Sequence, residues 1–318
     1  MAAKSDDVAR VAGVSRPAVS QILNGRGRFS AETIDRVRAV AAELGYRPSA
    51  AARSLATGTS DVVVALIPDT TFGKNLQDAF DALTMELARV GLTLVLRLSS
   101  SPIELLDHFI ATTRPAAVVA SFGPVSPEVR VVLRDAGVPL VGGTDRALEQ
   151  LNVDIGHLQA DHLIAAGCTQ LAYAHLSDTR QDVFGDARER GVAERCADAG
   201  LDAPQTIRLG VDETEAIAAL RQIRPGQVGI ACYNDDVAIA LLDACRVLRR
   251  PVPSEVALIG MDATPIAGLV WPRITTIALD APAAMAEIAQ VVIDRVSRGT
   301  TREIPLGTRL RLIPGGTT

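Results

Sequence analysis

Aromatic side chains are scarce in this chain. One Trp, three Tyr and six Phe make up 3% of 318 residues, so a binding site built on stacked rings has few platforms to draw on. Cysteine is also thin. Cys168, Cys196, Cys232 and Cys245 form no CxxC pair, which argues against a disulfide scaffold or a zinc site and for reduced, buried thiols. No run reaches the roughly 18 uninterrupted apolar residues that a membrane helix needs. The N-terminal MAAKSDDVARVAG lacks the apolar core of a secretion signal. No GxGxxG opens the first strand–helix turn, and neither a GxxxxGK[ST] loop nor a GxSxG elbow occurs. These absences predict a cytoplasmic chain that is not an enzyme and needs no cofactor or metal.

The charge is unevenly distributed. The net charge of −5 hides nine Lys/Arg against five Asp/Glu in residues 1–60, and 23 against 32 in the remainder. A basic head on an acidic body can hold phosphates locally while the body resists non-specific adhesion.

Within the head, SDDVARVAGVSRPAVSQILN (residues 5–24) reads as two short helices broken at Gly13-Val14. Ala9 and Ala12 allow close backbone approach, and Val8, Val11, Val14, Val19, Ile22 and Leu23 supply a small core. Ser15 can cap the second helix, whose exposed face then carries Arg16, Pro17, Ser20 and Gln21. This is the pattern of a helix-turn-helix, in which the second helix enters a DNA major groove. Arginine offers a two-pronged match to guanine and glutamine to adenine; Pro17, without a backbone donor, can touch a thymine methyl. Ser15, Ser20, Asn24 and Arg28 suit phosphate or sugar contacts, which fix register without reading sequence. A protein-binding helical hairpin is the alternative.

Ser30 begins a third helix with Ile34, Val37, Val40, Ala41 and Leu44 on one face, ended by Gly45. Residues 49–58 are alanine-rich but too short for a stable isolated helix, and so predict a helix ordered only against a partner. From residue 61, apolar runs at 62–68, 92–98, 116–122, 139–143, 170–176, 228–233 and 255–261 alternate with helical stretches at 75–90, 127–137, 154–167, 186–200, 212–223 and 235–248. That alternation means parallel sheets covered on both faces, with ligands bound beyond the carboxyl ends of the strands. Asp69, His175, Asn234-Asp235 and Asp262 lie at such ends. His175 is read as a structural histidine.

Nearly end to end, the chain resembles the LacI/GalR family of bacterial transcription regulators. The resemblance rests on DVARVAGVSRPAVSQILNG (7–25), LGYRPSAAARSLATG (44–58), HLIAAG (162–167), RERG (188–191), NDDVAIA (234–240), VPSEVALIGMD (252–262) and ITTIAL (274–279). It implies a helix-turn-helix domain over 1–47, a hinge helix over 48–60 and a periplasmic-binding-protein-like type I body over 61–318. In that body two doubly wound parallel-sheet subdomains, about 61–153 plus 278–302 and 154–277 plus 303–318, are crossed by three strands. It implies that residues 49–57, with Ala52 and Leu55, pair with a second copy in the minor groove, Leu55 acting as a wedge. It implies a ligand cleft with Arg188 gripping oxygens and Asn234, Asp235 and Asp262 accepting from hydroxyls; Phe72 and Trp271 are the aromatic candidates.

Departures from the family pattern are Ser49 in place of Asn, the stretch Asp69 to Asn75 with only Phe72 as a ring, Leu151-Asn152-Val153-Asp154 where an Asp-Asn pair is common, and Cys168 in place of His. The expectation is a homodimeric, sequence-specific regulator, a repressor in the family's usual manner, acting on a pseudo-palindromic operator and controlled by a sugar or sugar derivative. A nucleobase or nucleoside is the alternative effector; a solute-binding protein and a sugar-acting enzyme are the rival classes. No heptad tail follows the last strand, which favours a dimer over a coiled-coil tetramer.

Overall fold

A computed structural model describes residues 3–23, 27–46, 60–67, 74–98, 103–120, 123, 125–142, 145–178, 182–300 and 310–318. The chain divides into two compact units, Met1–Asp61 and Val62–Thr318.

Among its described residues the first unit has the helices α1 (Ser5–Ala12), α2 (Arg16–Leu23) and α3 (Ala31–Glu43). Gly13 closes α1 with φ +66°, the left-handed conformation that glycine adopts at little cost, and the Val14 amide donates back to Ala9 O at 3.0 Å. The Ser15 hydroxyl accepts from the Ala18 amide and the Ser30 hydroxyl from the Thr33 amide, so α2 and α3 both start on serine caps. Val8, Ala9, Ala12, Val19, Ile22, Val37 and Ala41 form the core. Val11 departs from the sequence reading. It is half exposed, while Val8, Ala9 and Ala12 of the same helix are buried.

The second unit is built on two sheets. The first has order β2-β1-β3-β4, all parallel, from β1 (Val62–Ile67), β2 (Thr93–Leu98), β3 (Ala117–Val119) and β4 (Leu140–Val141), with helices α4 (Lys74–Arg89), α5 (Ile103–Thr113) and α6 (Pro127–Asp135) between them. The second has order β10-β9-β8-β7-β5-β6. Its strands are β5 (Leu171–Leu176), β6 (Gln205–Leu209), β7 (Val228–Cys232), β8 (Val256–Met261), β9 (Thr275–Leu279) and β10 (Leu310–Ile313), and only β10 runs antiparallel. Helices α7 (Asp145–Ala165), α8 (Gly185–Asp198), α9 (Glu213–Gln222) and α10 (Asp235–Leu248) cover this sheet, while α11 (Ala281–Arg298) returns to the first. Each sheet buries both faces, which is why β1, β5, β7 and β8 read as unbroken apolar runs.

The first passage between the sheets is not a strand, as the family resemblance implies, but helix α7. Residues 145–165 carry Ala, Leu, Glu and Gln with no proline, and Leu148, Leu151 and Ile155 recur at helical spacing, so the helix begins nine residues ahead of the expected 154. The second passage runs from β9 at Leu279 into α11 at Ala281; the third falls in residues 301–309, outside the described residues.

Helices α7 and α8 meet at two glycines. A Cβ on Gly156 would lie 2.0 Å from Arg188 O, and one on Gly191 would lie 2.2 Å from Val153 O. Only hydrogen fits at either place, and the approach it permits positions the site described next.

Candidate functional site

On the head, α2 sets its residues as the sequence pattern requires. Val19 and Ile22 are buried, and Ser15, Arg16, Pro17, Ser20 and Gln21 are exposed together at the helix start and along one side. Arg16 makes a 3.7 Å ion pair with Asp6, both side chains about two-thirds exposed. Such a pair is worth at most about 1 kcal/mol and leaves Arg16 available to a stronger partner. Arg28 is exposed as well. Asn24, Ala52 and Leu55 lie outside the described residues.

In the second unit a cavity of about 170 Å³ opens between the two sheets. Leu76 of α4 and Ala281, Ala284 and Met285 of α11 line one side. Helix α7 contributes Leu148, Leu151, Asn152 and Ile155, and α8 contributes Arg188 with Phe184 just before it. Met261, Asp262 and Leu279 come from the ends of β8 and β9.

Arg188 is 94% buried, yet its charge is well held. Nε donates to Asn152 Oδ1 at 2.9 Å and Nη1 to the Tyr233 carbonyl at 2.6 Å. The guanidinium carbon lies 4.9 Å from the Tyr233 ring centre and 5.6 Å from that of Phe184, within reach of cation–π attraction. Asn152, itself buried, also donates to Leu148 O at 2.8 Å, so both ends of its amide are engaged. Among the described residues, Arg188 Nη2 has no hydrogen-bond partner.

Asp262 reaches the cavity from a turn of unusual backbone. Its φ is +100° and that of Ala263 is +50°, conformations that cost non-glycine residues on the order of 1–3 kcal/mol each and persist only where surrounding contacts impose them. Three contacts do so here. The Asp262 amide donates to Ile277 O at 2.9 Å, the Ala263 amide to Thr276 Oγ1 at 3.2 Å, and the Thr264 amide to Asp235 Oδ2 at 2.6 Å. Burial pushes the Asp262 carboxyl above its ordinary value; Arg188 opposes that shift and Asp236 adds to it.

Asp235 is therefore not a wall of the cavity. It is wholly buried, receives both the amide and the hydroxyl of Thr264, and packs so close to Gly260 that a Cβ there would sit 2.2 Å from Oδ1. Burial raises its carboxyl to about 6, against the hydrogen bonds from Thr276 and Thr264 that lower it. Asn234 caps α10 by accepting from the Val237 amide at 3.0 Å and does not line the cavity. Trp271 does not line it either. Its ring is 88% exposed beside a separate groove formed by Ile239, Leu242, Val252 and Val270. Asp154 lies within α7, accepting from Gln150. Phe72 is outside the described residues. Of the six proposed ligand contacts, the structure brings Arg188 and Asp262 together. It adds Asn152 and Phe184, which sequence reasoning missed.

His175 is fully buried, with Nδ1 2.6 Å from Asp182 and Nε2 3.0 Å from Glu189. Burial disfavours its charge, but the two carboxylates together outweigh burial and raise its pKa. His175, Asp186 and Glu189 bring possible metal ligands within 4.8 Å of one another. Both imidazole nitrogens are already engaged, however, and Arg208 lies 3.1 Å from Asp182 and 3.8 Å from Asp186. This is an ion network that fastens the start of α8, and with it Phe184 and Arg188, to β5 and β6. Among the described residues no helix is long and apolar enough to cross a membrane.

Residues 6–49 match the bacterial regulatory proteins of the lacI family, and residues 160–318 match the periplasmic binding protein-like domain. The chain is 29% identical to the HTH-type transcriptional regulator CelR of Thermobifida fusca, over 94% of this chain and 93% of that protein. It is 26% identical to the ribose operon repressor of Halalkalibacterium halodurans, over 85% and 83%. Among solved structures, a lac repressor dimer bound to operator and the anti-inducer ONPF superposes with TM-score 0.81 at 18% identity, covering 100% of this chain and 99% of that one. A complex of the transcriptional regulator CelR with cellobiose gives 0.69 at 22%, covering 99% and 100%. With a capped helix-turn-helix in its first unit and a two-sheet body in its second, the chain belongs to the LacI family of bacterial transcriptional regulators.

Proposed function

We propose that this protein is a homodimeric repressor that reads a pseudo-palindromic operator and is released from it, or recruited to it, by a small effector bound against Arg188 and Asp262. The observation that carries the reading is α2, whose serine-capped first turn presents Arg16, Pro17 and Gln21 outward while Val19 and Ile22 anchor it. One such helix reads a half-site. Two copies related by a two-fold axis read a palindrome. Its place of action is the cytoplasm, where the chromosome is.

The names of relatives mention ribose and cellobiose, so sugars and their derivatives head the set of effectors to test. Residues 49–57 are assigned to a hinge that pairs with its copy on DNA, with Leu55 as the wedge. The exposed face carrying Ile266, Leu269 and Trp271 is assigned to contact between the two copies.

A DNA-retardation series with the region upstream of the protein's own gene tests the reading. A band that prefers that region and weakens steeply with salt is expected. Arg16→Ala should cost about 1–3 kcal/mol of specific binding and relax preference at one base, because a lost bidentate contact removes discrimination of that size. Leu55→Ala should weaken specific binding more than non-specific binding. Equal affinity for all sequences would overturn the proposal.

A further inference from the structure

The hydrogen bonds of the buried His175 ring fix its protonation. Nδ1 lies 2.6 Å from Asp182 Oδ2 and Nε2 lies 3.0 Å from Glu189 Oε2. A neutral imidazole has one N–H and one lone pair, whereas the imidazolium donates from both nitrogens. A neutral ring would therefore turn a lone pair on one of the two carboxylates. Both carboxylates act as acceptors elsewhere too. Asp182 Oδ2 accepts from Arg208 Nη1 at 3.1 Å, and Glu189 Oε1 accepts from the Thr206 hydroxyl. The arrangement is complete only when His175 carries its second proton.

This network clasps the start of α8 around the residues that face the cavity. Asp182 lies just ahead of the helix and Glu189 within it, with Phe184 and Arg188 between them. Gly185, the first residue of the helix, leaves the ring no slack: a Cβ there would lie 2.4 Å from His175 Nδ1 and 2.3 Å from Asp182 Oδ1. Loss of the proton sets a carboxylate against a lone pair in a buried place, a cost relieved by moving the start of α8.

Among the described residues, the titratable groups around the ring come from every neighbouring element. They are Asp182 ahead of α8, Asp186 and Glu189 on α8, Arg208 on β6 and Tyr173 on β5, whose ring meets His175 edge-on at 4.7 Å. Asp178, beyond the end of β5, accepts the Asp182 amide through its carbonyl, and Tyr233, just past β7, lies against Arg188.

We propose that the His175 proton positions Arg188: while it is bound the start of α8 is fixed and Arg188 stays on Asn152, and when it leaves Arg188 is released. The inference rests on the effector-cleft reading given above and adds a proton to its control, so that the cleft grips an effector more weakly as pH rises through the His175 titration. His175 titrates above the ordinary 6.5, so the hold is complete below that value and is lost as pH rises through the folded-state value; the Asp235 carboxyl, at about 6, titrates below this window.

The test follows the full chain, labelled with ¹⁵N-histidine and ¹⁵N-arginine, by NMR as pH is raised from neutral. The His175 ring is assigned through its contact with the Tyr173 ring, and the Arg188 Nε–H through its own backbone. Two protonated ring nitrogens at neutral pH are expected, with a shift of the Arg188 Nε–H at the same midpoint as the ring. Glu189→Gln presents a neutral imidazole with an N–H in place of a carboxylate, and should lower both midpoints together by roughly 1–3 pH units. Asp186→Asn, which removes a carboxylate that is 94% exposed, should move them far less. A His175 ring with a single proton at neutral pH, or an Arg188 signal that stays still while the ring titrates, overturns the inference. The native chain alone supplies both results if a variant does not fold. If Arg188 follows the proton while a sugar that releases or recruits the native chain acts equally on Arg188→Lys, the positioning holds and the cleft reading falls.

Discussion

Asp235 follows Asn234 in the NDD stretch and was expected at the ligand; it lies one step behind the cavity wall. Its carboxylate ties down Thr264 and so holds the turn that delivers Asp262 at φ +100°. The residue type was legible in the sequence but the direction of the side chain was not, because an Asp at a strand end serves equally as ligand, helix cap or turn anchor. A pH experiment separates these roles. A carboxyl whose folded-state pKa is raised stabilises fully only below its unfolded value, and that stability is lost as pH rises through the folded value. For Asp235 the loss falls between about 3.8 and about 6. The stability difference between the native chain and Asp235→Asn should therefore drift against the native chain across that window and be flat above it. Parallel curves of stability against pH would contradict the assignment.

Among the elements, α7 carries the largest difference between expectation and structure. The sequence reading began this helix at residue 154, whereas leucines at helical spacing and the absence of proline make the segment helical from Asp145. That helix supplies Asn152, and the glycine contacts with α8 bring Asn152 within 2.9 Å of Arg188 Nε. No sequence pattern marks a side chain that becomes polar lining only when two helices nearly touch. Helix α5 and strand β6 also escaped the sequence reading. β6 alternates buried and exposed residues at the sheet edge and so never forms an apolar run.

Gly156→Ala tests the close approach. Helix propensity alone would favour alanine by about 1 kcal/mol, but its methyl must displace the α8 backbone, and overpacking of this kind costs on the order of 1–3 kcal/mol or more. Denaturant unfolding should show a less stable protein, and ligand titration a weaker site, since moving α8 loosens Arg188 from Asn152. A variant of unchanged or greater stability would show that the helices do not need this contact.

For the whole molecule, the alternation of apolar strands and amphipathic helices made the two-sheet body legible, and the motif at residues 7–25 made the head legible. The lining of the cavity between the two sheets was not, because it depends on which side chains the protein turns toward it. Trp271, expected in the cleft as a rare aromatic, is on the outside. Exposed large rings of this kind suit contact between molecules, and Trp271→Lys should move the sedimenting species from dimer to monomer and weaken operator binding with it.

The central claim is that occupancy of the cavity between the two sheets and affinity for DNA are linked. The direct measurement is the operator dissociation constant at fixed salt, with and without a sugar or sugar derivative that raises the thermal stability of the native chain, in the native chain and in Asp262→Ala. Linkage of about 1–3 kcal/mol predicts a change of roughly 5- to 150-fold in the native chain. Asp262→Ala should bind the operator as the ligand-free native chain does and lose the response to ligand. A ligand that binds while the operator constant stays fixed, or an Asp262→Ala protein that responds like the native chain, would contradict the account.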